Sequence, residues 1–364
     1  MLPALLRVAV SLVIGLLILR TACDALITAS ERLAARKLWD HYVAGTVAEM
    51  LSTLPELVVI AFVIPVSPEA AMIIALVTIY NNAFVFSVYS YFLPKDRRGR
   101  FVMPAAITEA GTQILIAGAA LGSVIGLVML VHSSGALSKR AFSALDLMFL
   151  GGLMIGVFGV YLTVLVRGYA NEEKAYRAAL GLSADEVEER RSHVYEEVKR
   201  TSVANIALLF VVGIAAAFVG GERVSDFAST AIGELALNPI ATAVLLAAFA
   251  GMSEYVILWR SHRKGQHHIA LANAFGGITQ VMFLVLPFTL LAIGIYQGPI
   301  GAVHAELPLA FTHSMVLLFL LLFPTFFVLI ELIQEDHTLG ALDTTIMAAI
   351  FVLIIFILVA YGDA

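Results

Sequence analysis

The sequence predicts an all-α polytopic membrane protein with about ten transmembrane helices in two inverted five-helix repeats. Long apolar runs, a lopsided distribution of Lys and Arg, and matched residues in the two halves predict it. The chain has 364 residues, 60% of them hydrophobic and 13% charged. So few charges cannot cover so much apolar surface in water. A span needs roughly 20 apolar residues to cross a hydrocarbon core about 30 Å thick. Runs of that kind place spans near 4–29, 42–64, 69–93, 101–131, 142–168, 201–221, 239–260, 268–296, 308–333 and 341–361. The first is too long for the apolar core of a cleaved signal peptide, and further spans follow it.

Basic residues set the orientation, because cytoplasmic loops carry the excess of Lys and Arg. With the N-terminus outside, the inward loops collect seventeen of them, from Arg32 to Lys264, and the outward loops only Lys139, Arg140 and Arg223. Both termini are therefore expected outside, as an even number of spans requires. The expected domains are a first membrane repeat over 1–168, a cytoplasmic charged linker helix over 169–200 and a second, inverted repeat over 201–364. In the linker, Ser183 is a candidate N-cap with Glu186 three residues on. The compact chain and short loops point to a prokaryotic plasma membrane. The net charge of −5 is silent on nucleic acid, but no basic stripe is present, so the expected partners are inorganic cations and the lipid bilayer and not nucleic acid. The single cysteine, Cys23, excludes an internal disulfide and a cysteine-based metal cluster. Oligomeric state is not legible.

Three matches relate the halves. The segment 21–33 (TACDALITASERL) aligns with 223–235 (RVSDFASTAIGEL) about Asp24 and Asp226. STLPELVVI (52–60) aligns with AGMSEYVIL (250–258) about Glu56 and Glu254, and the Ala-Leu-Asp ending at Asp146 recurs at Asp343. Each unit holds an odd number of spans, so the second copy sits upside down. Such repeats place a binding site at the midplane between copies. The four aspartates lie near span ends and read as anchors of helix termini.

A carboxylate deep in a span costs several kcal/mol unless it has a partner or a task. Glu56 in span two and Glu254 in span seven are repeat mates, brought by the symmetry toward one axis. Two facing carboxylates in a low dielectric cannot both stay ionised without a cation between them. A hard divalent cation suits them, because it takes six to eight oxygen ligands. Ser52 and Thr53 lie on the Glu56 face of the helix, and Pro55 breaks the backbone ladder beside it. In span eight, Asn273, Gly276, Gly277 and Gln280 form one polar, small-residue face, and Asn81 and Asn82 interrupt the apolar run of span three. Ser253 precedes Glu254. Glu49, two turns before Glu56, and the span-four pair Glu109 and Gln113 are further candidates for the ion pathway. His262, His267 and His268 read as a headgroup-facing turn rather than a zinc site. The spans contain no Walker loop, paired-Asp or Gly-x-Gly-Asp motif, so an enzyme is not expected.

Residues 52–56 (Ser-Thr-Leu-Pro-Glu), with the stretch before them, resemble the first repeat of the calcium/cation antiporter superfamily, which includes sodium/calcium and cation/proton exchangers. Residues 270–285 (ALANAFGGITQVMFLV) resemble the second helix of that superfamily's second repeat, and Gly276-Gly277-Ile278-Thr279-Gln280 is closer to the proton-coupled branch. The resemblance spans both halves. It implies a secondary antiporter that exchanges a divalent cation, Ca²⁺ foremost, for H⁺ or Na⁺, without a cofactor. Glu56 and Glu254 would bind the ions, and Ser52, Thr53, Asn81, Asn82, Ser253, Asn273 and Gln280 would serve as neutral ligands. Ala250 and Gly251 stand where the superfamily has a hydroxyl pair, and Ser253 where it has Pro. That departure favours proton coupling, or an unusual substrate, over three sodium ions. It also keeps open the alternative of a non-transporting membrane scaffold or sensor with the exchanger fold.

Overall fold

A computed structural model describes residues 2–37, 50–95, 99–103, 108, 111–133, 141–179, 202–235, 237–263, 267–298, 309–334 and 338–361. Twelve helices carry the argument: α1 (Leu2–Lys37), α2 (Leu54–Val63), α3 (Pro68–Ser90), α4 (Thr112–Ser133), α5 (Ala144–Ala179), α6 (Val203–Ser229), α7 (Pro239–Ala250), α8 (Met252–Arg263), α9 (His267–Gln280), α10 (Leu286–Gln297), α11 (His313–Gln334) and α12 (Ala341–Tyr361). A π-helical turn, Thr230–Glu234, carries α6 onward, and a second, Val281–Val285, joins α9 to α10. Eight stretches among the described residues are long and apolar enough to cross a membrane. The other two expected spans are the broken ones. Span two resumes as α2 after a turn at Thr53, and span seven is split into α7 and α8 at Gly251.

Packing follows the repeat. α1 lies along its mate α6, and α4 along its mate α11. α5 packs on α10 while α12 packs on α3, the same contact made twice. Two-residue strands repeat the pattern in the loops: β1 (Phe101–Val102), β2 (Ala141–Phe142), β3 (Leu309–Ala310) and β4 (Thr338–Leu339). β1 pairs antiparallel with β4, and β2 with β3. β1 and β3 precede the mates α4 and α11; β2 and β4 precede the mates α5 and α12. Exchanging the repeats therefore maps one ribbon onto the other. This is the two-fold arrangement that the odd span count requires.

The centre of the bundle is equally symmetric. The apolar stretch of α3 is 83% buried and that of span eight (α9, its π turn and α10) 72%, against 22% for α6 and for α12. α3 and span eight are mates and pack against each other. The outer helices show exposed Leu208, Val211, Val352 and Phe356 where lipid would lie. Small residues let α1 and α6 approach closely. A Cβ added at Gly213 would stand 2.7 Å from Leu26 Cγ, and one at Gly220 2.8 Å from Leu19 Cγ. In a membrane such stripes replace the hydrophobic effect as the source of helix association.

Two of the four expected aspartates, Asp146 and Asp343, cap helix ends; Asp24 and Asp226 instead lie inside α1 and α6, which run on past them. Asp146 Oδ2 accepts from Ser143 N at 2.9 Å and from Ser143 Oγ at 2.6 Å, and the Ser143 hydroxyl accepts from Asp146 N at 3.2 Å. Its mate Asp343 accepts from Gly340 N at 2.8 Å. Asp226 forms a 3.5 Å ion pair with Arg223.

Several boundaries differ from those expected. Span four starts as a regular α-helix at Thr112 rather than 101, and span nine at His313 rather than 308. The apolar residues ahead of them form β1 and β3, whose backbone groups are satisfied across the ribbons instead of along a helix. α5 runs on to Ala179, into the segment expected as linker. Ser183 and Glu186 lie outside the described residues.

Candidate cation-binding site

The two broken spans present their glutamates in the same way. In each, the helix is interrupted three residues before the glutamate, at Thr53 or at Gly251. In each, the glutamate is the third residue of the helix that restarts. Pro55 suits the second position of α2, where its missing N–H costs no intrahelical bond. In repeat two a glycine makes the break. The carboxylates therefore sit on first turns, where helix dipoles favour negative charge. Both are buried, Glu56 at 2% exposure and Glu254 at 4%. Burial at that level is costly for two carboxylates unless a charge or protons compensate them.

α3 supplies one wall. Thr78, fully buried, lies beside the Glu56 carboxyl and donates its hydroxyl at 2.8 Å to the Ile74 carbonyl, which leaves its oxygen lone pairs for the site. Asn81, one turn on, donates its Nδ2 to the Tyr255 hydroxyl across the repeat boundary. That phenol lies near enough to Glu254 and Glu56 to feel the charge of both. Asn82 is buried, and neither end of its amide makes a hydrogen bond among the described residues. α9 supplies the opposite wall. Asn273 Nδ2 reaches the Glu254 backbone carbonyl at 3.4 Å. Gly277 lies flat against the Glu254 carboxylate: a Cβ there would stand 2.8 Å from Oε2 and 2.9 Å from Oε1. Gln280, at the end of α9, is buried with its Oε1 making no hydrogen bond. Glu56 Oε1 is a further buried oxygen without one. Buried polar atoms are nearly always hydrogen-bonded, so oxygens left bare among the described residues call for an explanation. Carboxylate and amide oxygens of this kind are the donors that hard cations take.

The sequence-predicted residues are placed as follows. Glu254 meets Asn273 and Gly277, Asn81 meets Tyr255 beside them, and Glu56 lies within electrostatic reach of the same phenol. Asn82, Gly276 and Gln280 lie on the two walls. Ser52 is buried beside the first break. Thr53 is buried too, but its hydroxyl donates at 2.8 Å to the Met50 carbonyl, so its proton is committed to its own turn. Gln113 is exposed on the first turn of α4 and is no part of the cluster, because the helix begins one residue earlier instead of running through from 101. Glu49 and Glu109, and the side chain of Ser253, lie outside the described residues. Sequence reasoning missed Thr78 and Tyr255. Thr78 falls three and four residues before Asn81 and Asn82, on their face of α3, and that spacing was the available signal. Tyr255 is adjacent to Glu254 and, as an aromatic in an apolar span, carried none.

The histidines lie apart from this cluster. The His262 and His267 rings are 5.0 Å apart, and Tyr89 Oη stands 3.4 Å from His262 Nδ1. Among the described residues no group of three His, Cys, Asp or Glu side chains is arranged to hold a metal.

Residues 205–360 match the model of a family described as sodium/calcium exchanger protein. The fold of the whole chain is similar to solved structures. A structure described as the H⁺/Ca²⁺ exchanger CAX shares 12% identity and a TM-score of 0.70, covering 99% of this chain and 82% of that one. The sodium-calcium exchanger NCX_Mj shares 15% identity and a TM-score of 0.59, covering 99% of each chain. YfkE shares 13% identity and a TM-score of 0.59, over 96% of this chain and 91% of that one. No curated protein matches by sequence.

Proposed function

We propose that this chain is a member of the calcium/cation antiporter superfamily, on the family match of its second half and the fold of the whole, and that it is a secondary active antiporter exchanging Ca²⁺ for H⁺. The observation that carries the reading is the pair of repeat-related carboxylates, buried at matching helix breaks and facing one phenol. Glu56 and Glu254 neutralise a divalent ion. Thr78, Asn81, Asn82, Asn273 and Gln280 offer neutral oxygens around it, with Ser52, Thr53 and Ser253 at the helix breaks. When the ion leaves, two protons restore neutrality on the same carboxylates, and that alternation is the exchange. Alternating access would come from α1 and α6 moving as a unit against the rest of the bundle.

Proton coupling is favoured over sodium coupling. A sodium ion needs several neutral oxygens of its own, and repeat two has Ala250-Gly251 in place of a hydroxyl pair. The seventeen-to-three bias of basic residues supports a bilayer orientation with both termini outside, and the linker 169–200 on the cytoplasmic side.

The test is uptake of radiolabelled Ca²⁺ into proteoliposomes under an imposed H⁺ gradient, then an Na⁺ gradient. Uptake driven by the H⁺ gradient and lost in Glu254→Gln is the expected result. Uptake that follows only Na⁺ overturns the coupling. Folded protein inert under both gradients favours the non-transporting scaffold.

A further inference from the structure

Repeat two lacks the hydroxyl that repeat one places three residues before its glutamate, and the structure offers a replacement. Position 251, the mate of Thr53, is glycine; position 255, the mate of Leu57, is tyrosine. The two residues are one helical turn apart on one face, and long side chains on a helix lean back over the preceding turn. The Tyr255 phenol does so. A Cβ added at Gly251 would stand 3.1 Å from Tyr255 Oη, 3.3 Å from Cζ and 3.4 Å from Asn81 Nδ2. These are tight contacts before any γ atom is added, so the room the phenol uses is room that a Thr or Ser at 251 would take.

The phenol is also bonded across the repeat boundary. It accepts from the Asn81 amide nitrogen of repeat one. An amide that donates from one end presents its acceptor at the other, so this bond commits Asn81 Oδ1 to face away from Tyr255. Both glutamates lie within its electrostatic reach. Leu57, the mate of Tyr255, offers no polar atom.

We infer that Gly251 and Tyr255 form a matched pair through which the second repeat supplies its site hydroxyl from position 255 instead of 251, with Tyr255 positioning Asn81 for the cation. The inference rests on the cation-site reading above and adds to it a specificity-determining residue. It implies that repeat two replaces the missing hydroxyl with one already bonded to Asn81, which orients that amide instead of binding a sodium ion itself.

The experiment compares wild type with Tyr255→Phe, Gly251→Thr and the double variant Gly251→Thr/Tyr255→Leu, which rebuilds the repeat-one pattern. Ca²⁺ uptake in proteoliposomes and Ca²⁺ binding by titration calorimetry are read for each. Tyr255→Phe keeps the ring and removes the acceptor. It should raise the apparent KM for Ca²⁺ about tenfold, the effect of orphaning one buried amide, while leaving Vmax nearly unchanged. Gly251→Thr alone should weaken binding at least as much, and the double variant should recover most of that loss. An unchanged KM in Tyr255→Phe overturns the inference, as does a double variant no better than Gly251→Thr. If Gly251→Thr does not fold, Tyr255→Phe decides alone. Wild-type protein that binds Ca²⁺ without transporting it defeats the antiport reading, and the binding cycle then decides the inference. Wild type that neither binds nor transports Ca²⁺ defeats both.

Discussion

The two broken spans reach one backbone geometry by different chemistry. In repeat one the break is built from Ser52-Thr53-Leu54-Pro55: a threonine hydroxyl holds the preceding turn, and a proline fixes the second position of the new helix. In repeat two, Ala250-Gly251-Met252-Ser253 makes the same break with a glycine and no proline. Each ends with a glutamate on the first turn of the restarting helix. The comparison teaches which part of the motif is needed. The break and the carboxylate recur, while the residues that make the break do not. What the second copy gains from its glycine is space, and a tyrosine occupies it.

The comparison can be broken most directly at the glutamates. Glu56→Gln and Glu254→Gln should each abolish Ca²⁺ uptake, a loss of roughly 100-fold or more for removing one charge of a buried set. Size-exclusion profiles should stay those of wild type. Unequal losses would show that the repeats are not functionally equivalent. Next in size is Gly277→Ala, whose methyl would meet the Glu254 carboxylate. Overpacking of about 1–3 kcal/mol should lower uptake by about tenfold. Wild-type uptake in this variant would mean that Glu254 need not keep its place against α9. Smaller effects are expected at the paired caps. Asp146→Ala and Asp343→Ala should each cost about 1 kcal/mol in thermal unfolding and leave uptake intact. The smallest effect concerns the proline that repeat two lacks. Ser253→Pro, at the second position of α8, should fold normally and change stability by about 0.5 kcal/mol either way. A variant that fails to fold would show that α8 needs its second N–H, as α2 does not.

Much of this was legible in the sequence, and the reasons are physical. Apolar runs of membrane length show where spans lie because the bilayer admits little else. Glu56 and Glu254 stand out because a carboxylate inside such a run is expensive, and Asn81 and Asn82 for a weaker form of the same reason. The inverted arrangement followed from an odd span count per repeat. Tyr255 was invisible because an aromatic in a span reads as packing; only its contact with Asn81 from the other repeat makes it polar machinery. Thr78 hid likewise in an apolar run, where a threonine satisfies itself on the carbonyl four residues back. The ribbons were missed because apolar residues in a two-residue strand look like the first turn of a span. Gln113 was misassigned with them, since the start of α4 moves with β1.

Those ribbons have a consequence for biogenesis. β1 leaves the ribosome at residue 101, and its partner β4 only at 338; β2 at 141 waits for β3 at 309. Each pair joins one repeat to the other, so both first-half strands carry unmet backbone groups until most of the second half has been made. The first half is therefore an unfinished object during synthesis. Neither ribbon can close until the second half is largely made, and each then acts as a clasp that registers one copy against the other.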